Sequence, residues 1–253
     1  MGTREIMIQK IIPLGLSLIA ALAACGAEGG PFLQSGSLPP VPDARGVAGA
    51  FAGVDGDALI VAGGANFPDA PPWDGGRKVW YDTAWVLTAT GGPWRTGFKL
   101  PRPLGYGVSA STRSGIVCAG GSDADRHYAD VFSLRWTGTN LETRILPPLP
   151  VSCANLCGAV LLGKLYVAGG TETPDSVTAL RTFLALDLNS ANPAWTNLPP
   201  WPGPGRMLAA AGAQMGQFVL AGGVDLSVDE SGKPKRTYLK DAYAWNPKTA
   251  TWR

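Results

Sequence analysis

The hydrophobic pattern of this chain repeats. Apolar runs at Leu59–Ala62, Gly115–Ala119, Lys164–Ala168 and Gln217–Ala221 each end in Ala-Gly-Gly, and the first glycines of the pairs, Gly63, Gly120, Gly169 and Gly222, lie 57, 49 and 53 residues apart. Short continuous apolar runs closed by glycine predict strands buried on both faces. The glycines suit places where backbone crowds or φ turns positive. A small apolar first strand is predicted before each run, as at Gly46–Gly53 and Met207–Gly212. A third strand follows a variable loop, at Asp82–Leu87, Asp130–Leu134, Thr182–Leu186 and Asp241–Trp245. It alternates with the period of two of a half-buried strand. The fourth carries a tryptophan and runs toward Leu-Pro: Trp94 to Pro101, Trp136 to Pro147, Trp195 to Pro199, then Trp252. Proline lacks a ladder donor, so an edge strand is where it fits. No stretch after residue 24 keeps a helical period.

Four strands per unit and a period of roughly 50 residues predict an all-β fold, a kelch-type β-propeller. The units run over about 46–101, 105–147, 154–199 and 206–253. Residues 32–42 read as one more fourth strand, with its own Leu38-Pro39 ending. Unit one already owns such a strand at Trp94, and unit four supplies one at 249–253. The leading strand would therefore close the ring against a blade encoded after Arg253. The expectation is an incomplete propeller, four blades of six; a closed four-bladed ring is the alternative.

Arg4 and Lys10 precede an uncharged apolar run, Ile11–Ala24, which is too short for a comfortable membrane span and reads as a secretory signal over residues 1–24. Its end, Leu22-Ala-Ala-Cys25-Gly26, looks like a bacterial lipobox, in which Cys25 is lipidated and becomes the first mature residue. Residues 25–37 would then be a tether, with the chain held in the cell envelope, in the periplasm or at the outer membrane. Ordinary cleavage with Cys25 incidental is the alternative; either route exports the chain.

Charge excludes more than it identifies. The net charge of +2 loses Arg4, Lys10 and Glu5 with the signal, leaving +1, too balanced for a nucleic-acid partner. Cys118 stands on a second strand where the other units place Val61, Val167 and Leu220, so it is expected to be a buried small hydrophobe. Cys153 and Cys157 flank a first strand, and export leaves a disulfide between them open. With a single histidine, His127, and no second ligand pair, neither a metal site nor a cofactor is expected.

Over about 45–130 the residues carry a family resemblance. Gly46–Gly53, Ala62–Pro68, Trp73–Lys78 with Trp80-Tyr-Asp82, and Pro103–Ser109 resemble the kelch-propeller sialic acid mutarotases, or N-acetylneuraminate epimerases, and within them a cyclically permuted group whose last blades come first. The resemblance implies a six-bladed propeller that interconverts the anomers of N-acetylneuraminate in the periplasm, with a small-molecule sugar as partner. It also implies a Glu and an Arg in a Gly-Glu-Ala-Lys-Pro-Gly-Leu-Arg-like segment, where a carboxylate moves protons and a guanidinium holds the sugar carboxylate. That segment is not found: Glu172 lacks the following arginine, and Glu230 lies in a polar loop. The missing blades would carry both residues, leaving these four blades inactive by themselves.

Loops that follow the glycine pairs gather at one mouth of a propeller, where irregular surface loops concentrate function. Asn66, Lys78, Tyr106 and Arg45 are the substrate-binding candidates. Each has a plainer reading: a turn residue for Asn66, a solvated cation for Lys78, packing for Tyr106, and for Arg45, as for Arg102, pairing with a neighbouring blade. Asp123 and Asp125 lack the further ligands of a calcium loop and read as a turn. A noncatalytic kelch protein that binds carbohydrate or protein at the cell surface is the alternative function. One histidine argues against a galactose-oxidase-like copper site, and the Asp-box repeats of sialidases are absent.

Overall fold

The computed structural model describes residues 36–89 and 91–253, so the apolar leader, Cys25 and residues 32–35 lie outside it. The compact unit runs from Pro39 to Arg253. Each repeat folds into a four-stranded antiparallel sheet, because its apolar runs are strand-length and are separated by residues that reverse the chain. In blade one, β1 (Phe51–Asp55) and β2 (Ala58–Ala62) are followed by a side hairpin, β3 (Ala65–Asn66) and β4 (Val79–Trp80), before β5 (Thr83–Leu87) and β6 (Arg95–Lys99). Blade two is β7 (Val108–Thr112), β8 (Gly115–Ala119), β9 (Val131–Trp136) and β10 (Leu141–Leu146). Blade three is β11 (Cys157–Leu161), β12 (Lys164–Ala168), β13 (Phe183–Asp187) and β14 (Trp195–Asn197). Blade four begins with β15 (Ala210–Gln214) and β16 (Gln217–Ala221), sends out a hairpin of β17 (Val224–Val228) and β18 (Pro234–Tyr238), and ends in β19 (Ala242–Asn246) and β20 (Thr251–Trp252). The one helical turn among the described residues is a 3-10 turn at Pro72–Asp74.

The innermost strands neighbour one another in the order β1, β7, β11, β15. Each gap between blades is filled by one apolar cluster. Phe51, Ile60, Ile116, Phe132 and Leu134 join blades one and two. Val108, Val117, Leu165, Leu184 and Leu186 join two and three, and Tyr166, Phe183, Phe218, Trp201 and Trp245 join three and four. The axis is crowded, as small first strands require: a methyl group on Gly53 would meet Cγ2 of Ile116, and one on Gly158 would meet Val108 at 3.0 Å. Gly212, at the same place in blade four, faces open space.

Three sets of hydrogen bonds stitch successive blades together. The amides of Gly64, Gly121 and Gly170 donate to the carbonyls of Leu104, Cys153 and Arg206 in the next blade, each at 2.8 Å. The amides of Tyr106, Asn155 and Leu208 donate to the carbonyls of Gly49, Tyr106 and Asn155 at 2.7, 2.8 and 2.8 Å, forming a collar around the channel mouth. The indole N–H groups of Trp195 and Trp252 donate to Pro147 and Pro199 at the ends of the preceding fourth strands, at 2.9 and 2.8 Å. Trp94 makes the same bond to Pro39, at 3.0 Å. Residues 36–42 pair with no strand among the described residues, and Pro39 stands where a preceding fourth strand ends in the other blades. The amide of Gly223 has no acceptor among the described residues, so the arc is open at blade four.

The collar also corrects the predicted first strands. They begin at Phe51 and Ala210, not at Gly46 and Met207, because Gly49, Tyr106, Asn155 and Leu208 hold φ of 66°, 63°, 59° and 55°. That left-handed turn interrupts the extended backbone two residues before each first strand. Trp136 ends β9 rather than opening β10. β5 and β13 are more than half buried, whereas β19 is half-buried as the alternation predicts: β13 turns Leu184 and Leu186 to one cluster and Phe183 and Ala185 to the next.

The described cysteines, Cys118, Cys153 and Cys157, are all free and buried, so the disulfide left open for Cys153 and Cys157 is not formed. Cys118 is fully enclosed, as its place in the repeat predicted. Arg102 pairs with Asp130 at 3.2 Å and Arg206 with Asp241 at 2.9 Å. Both pairs lie within one blade, not between blades, because the residue before the first strand faces the aspartate just before the third.

Candidate functional site

The channel mouth is built by the collar, the residues after each glycine pair, and the two side hairpins. At blade one, β3 pairs with β4 and sets Asn66 opposite Val79. Lys78, the residue before β4, lies with Nζ 4.0 Å from the ring centroid of Tyr106 and 4.9 Å from that of Trp80. The two rings meet edge to face at 6.4 Å. A cation over two aromatic faces is held by their quadrupoles, so Lys78 is fixed in place rather than freely solvated. Tyr106 also covers Gly49, where any side chain would strike its ring. The structure thus brings Lys78 and Tyr106 together.

Asn66 and Arg45 take structural work. The Asn66 amide donates to the Gly46 carbonyl at 2.7 Å, and its oxygen accepts from the Tyr81 hydroxyl at 2.7 Å. Its other amide hydrogen points to Asp43 Oδ1 at 3.4 Å, which leaves one lone pair of the oxygen unspent. Arg45 is exposed and donates to the Phe67 carbonyl at 2.8 Å. Asp123 accepts from the amides of Asp125 and Arg126 and from the Tyr128 hydroxyl, which makes the acidic pair a turn. Glu172 and Glu230 are exposed.

Along the collar, Tyr106 is bonded to Asn155, and beyond Asn155 lies a cavity of about 430 Å³ over blades two to four. Its polar wall is His127, Asn155, Thr171, Asp175, Ser176 and Arg236. His127 is only 8% exposed. It is held by a single contact, Nδ1 to the Thr171 carbonyl at 2.9 Å. A carbonyl oxygen can only accept, so Nδ1 carries the proton and Nε2 is an acceptor when the ring is neutral. Burial pushes the pKa of His127 below its ordinary 6.5, against the opposing pull of the Thr171 hydrogen bond. Asn155 donates to the Thr171 hydroxyl at 3.3 Å. The sequence pattern missed this cavity. Its one available signal was the recurrence of a residue two before each first strand, at Gly49, Tyr106 and Asn155, and that signal is conformational rather than chemical.

Comparison with known proteins agrees with the blade-one and blade-two sequence. The family model described as N-acetylneuraminate epimerase matches residues 33–143. An N-acetylneuraminate epimerase of Brucella suis is 39% identical over 118 residues, covering 42% of this chain and 30% of that protein. One of Yersinia enterocolitica is 36% identical over 110 residues, covering 39% and 27%. The chain therefore spans less than a third of the length of these relatives. The solved structure of YjhT superposes with a TM-score of 0.68 at 14% identity, covering 82% of this chain and 70% of that one, a likeness of fold. On the frame of a kelch-type β-propeller, this chain is thus similar across its first two blades to the N-acetylneuraminate epimerase family.

Proposed function

We propose that the protein is an exported mutarotase that interconverts the anomers of N-acetylneuraminate or a related sugar, working from the channel mouth. The observation that carries this reading is the family match over residues 33–143, which contains the Lys78 and Tyr106 cluster. Ring opening needs a base for the proton of the anomeric hydroxyl and an acid for the ring oxygen. The C–O bond of the ring then breaks, the carbonyl carbon turns, and closure on its other face returns both protons. Lys78 would attract the sugar carboxylate to the mouth, and the Tyr106 ring offers a face for the apolar side of a pyranose.

The Glu and Arg that the resemblance implies would come from blades beyond these four. In support, Pro39 receives the Trp94 indole just as the ends of blades two and three receive theirs, and the Gly223 amide is left for a following blade. Cys25 would carry the lipid that holds the protein at the membrane surface; labelling with a radioactive fatty acid tests it, and an unlabelled wild type would remove that anchor.

Proton NMR of freshly dissolved N-acetylneuraminate tests the activity. The complete reading frame should bring the anomers to equilibrium faster than buffer does. Equilibration at the buffer rate would reject the mutarotase and favour a noncatalytic binding protein.

A further inference from the structure

We propose that the cavity beside Asn155 is a binding site for one anionic monosaccharide, with His127 Nε2 accepting a sugar hydroxyl and the Arg236 guanidinium holding the carboxylate. The choice of an acidic sugar rests on the mutarotase reading; the site itself rests on geometry. His127 is more than nine-tenths buried, and its Nε2 has no partner among the described residues. Nor is Nε2 among the enclosed polar atoms that lack one, so it opens to the cavity. An imidazole oriented by a backbone carbonyl, with its second nitrogen unspent at a cavity wall, is set to receive a hydroxyl.

The other walls are mixed: the exposed loop after Thr173 brings the Asp175 carboxylate and the Ser176 hydroxyl, so it is the Arg236 fork, not the net charge of the wall, that receives the acid. Arg236 lies on β18 opposite Leu226, and no ion pair or hydrogen bond engages it among the described residues. A guanidinium presents a planar fork that matches a carboxylate. Met207 and Leu226 supply apolar surface for the carbon face of a ring. Asn155 spends one amide hydrogen on Thr171 and keeps its side-chain oxygen free. The hairpin that brings Arg236 is tied down, since the Leu226 carbonyl accepts from the Ala179 amide at 2.9 Å. At about 430 Å³ the cavity falls within the range of small-ligand pockets.

The test uses the methyl ketoside of N-acetylneuraminate, whose ring cannot open, so that binding is read apart from turnover. Titrated into the full chain by calorimetry, the ketoside should bind. Arg236→Ala, on an exposed strand, and His127→Ala should each weaken binding about tenfold or more. Arg236→Ala should leave the melting temperature unchanged and should leave the binding of neutral N-acetylmannosamine as it was. Wild-type affinity in the Arg236→Ala protein, or no binding by the wild type at tens of millimolar ketoside, would overturn the site. Should the ketoside bind as described while anomer exchange stays at the buffer rate, the activity fails and the site stands. Accelerated exchange with ketoside binding untouched by both variants leaves the activity and removes the site.

Discussion

Removing the carboxylate of Asp241 should damage the protein more than removing its partner, Arg206. The Arg206 side chain has no exposed surface, whereas that of Asp241 is 32% exposed. Nη1 of Arg206 donates to Asp241 and to the Gly222 carbonyl at 2.9 Å each, Nη2 donates to Asp241 at 3.0 Å, and Nε has no partner. The guanidinium lies 5.3 Å from the rings of Trp201 and Tyr243. Asp241→Ala therefore strands a buried cation on one carbonyl, at a cost of about 3–5 kcal/mol. Arg206→Met keeps volume between the two rings and releases Asp241 to water and to the Tyr243 hydroxyl, which donates to it at 2.8 Å. That change should cost only about 1–2 kcal/mol. The double variant should lose less than the two singles summed, by about 1–3 kcal/mol. Urea unfolding followed by tryptophan fluorescence measures all four proteins. An Asp241→Ala protein within 1 kcal/mol of wild type, or an Arg206→Met protein less stable than it, would refute the reasoning.

Three shorter predictions accompany it. Gly169 has φ of 66° and packs on the Arg206 carbonyl, while Gly222 has φ of 59° and nothing nearer than 3.6 Å. Gly222→Ala should cost only the left-handed penalty of about 1–2 kcal/mol, and Gly169→Ala clearly more; equal losses by urea unfolding would contradict the packing. Since the folded pKa of His127 is depressed, the unfolded chain binds a proton that the folded chain refuses. That share of stability is present above pH 6.5 and is lost as pH falls from there through the folded value, and His127→Gln should flatten the slope in that window. Burial pushes the thiols of Cys153 and Cys157 up to about 12, and Cys118 is also enclosed. A chain starting after Cys25 should show no thiol to Ellman's reagent when native and three when unfolded; one thiol on unfolding would mean a disulfide.

Strand existence was legible because apolar runs and glycine pairs impose it locally. The Gly-Gly pairs at 63, 120 and 169 mark where a strand exit meets the next blade's carbonyl, and a repeat displays that constraint openly. Strand starts were not legible, since beside Gly49 and Asn155, which tolerate the left-handed conformation, the collar includes Tyr106 and Leu208, side chains that carry no signature of it. Arg45 and Arg102 look alike in sequence, yet Arg102 meets Asp130 whereas Arg45 meets the Phe67 carbonyl, and Asp82 is taken by Lys99 at 3.0 Å. Among the candidates, Lys78 and Tyr106 do share the mouth, while Asn66 is engaged by hydrogen bonds to Gly46, Asp43 and Tyr81 that only the fold reveals. A lone histidine in a sequence signals at most a metal ligand; the place of His127 at a cavity depends on a contact 44 residues away.

Successive blades are joined through the second glycine of each pair, and blade four has no such junction among the described residues. Amide hydrogen exchange resolved at Gly64, Gly121, Gly170 and Gly223 tests it most directly. In the 253-residue chain, the first three amides should be protected and Gly223 should exchange at close to the rate of an open amide. Protection of Gly223 equal to that of the other three would show a closed junction and contradict the account.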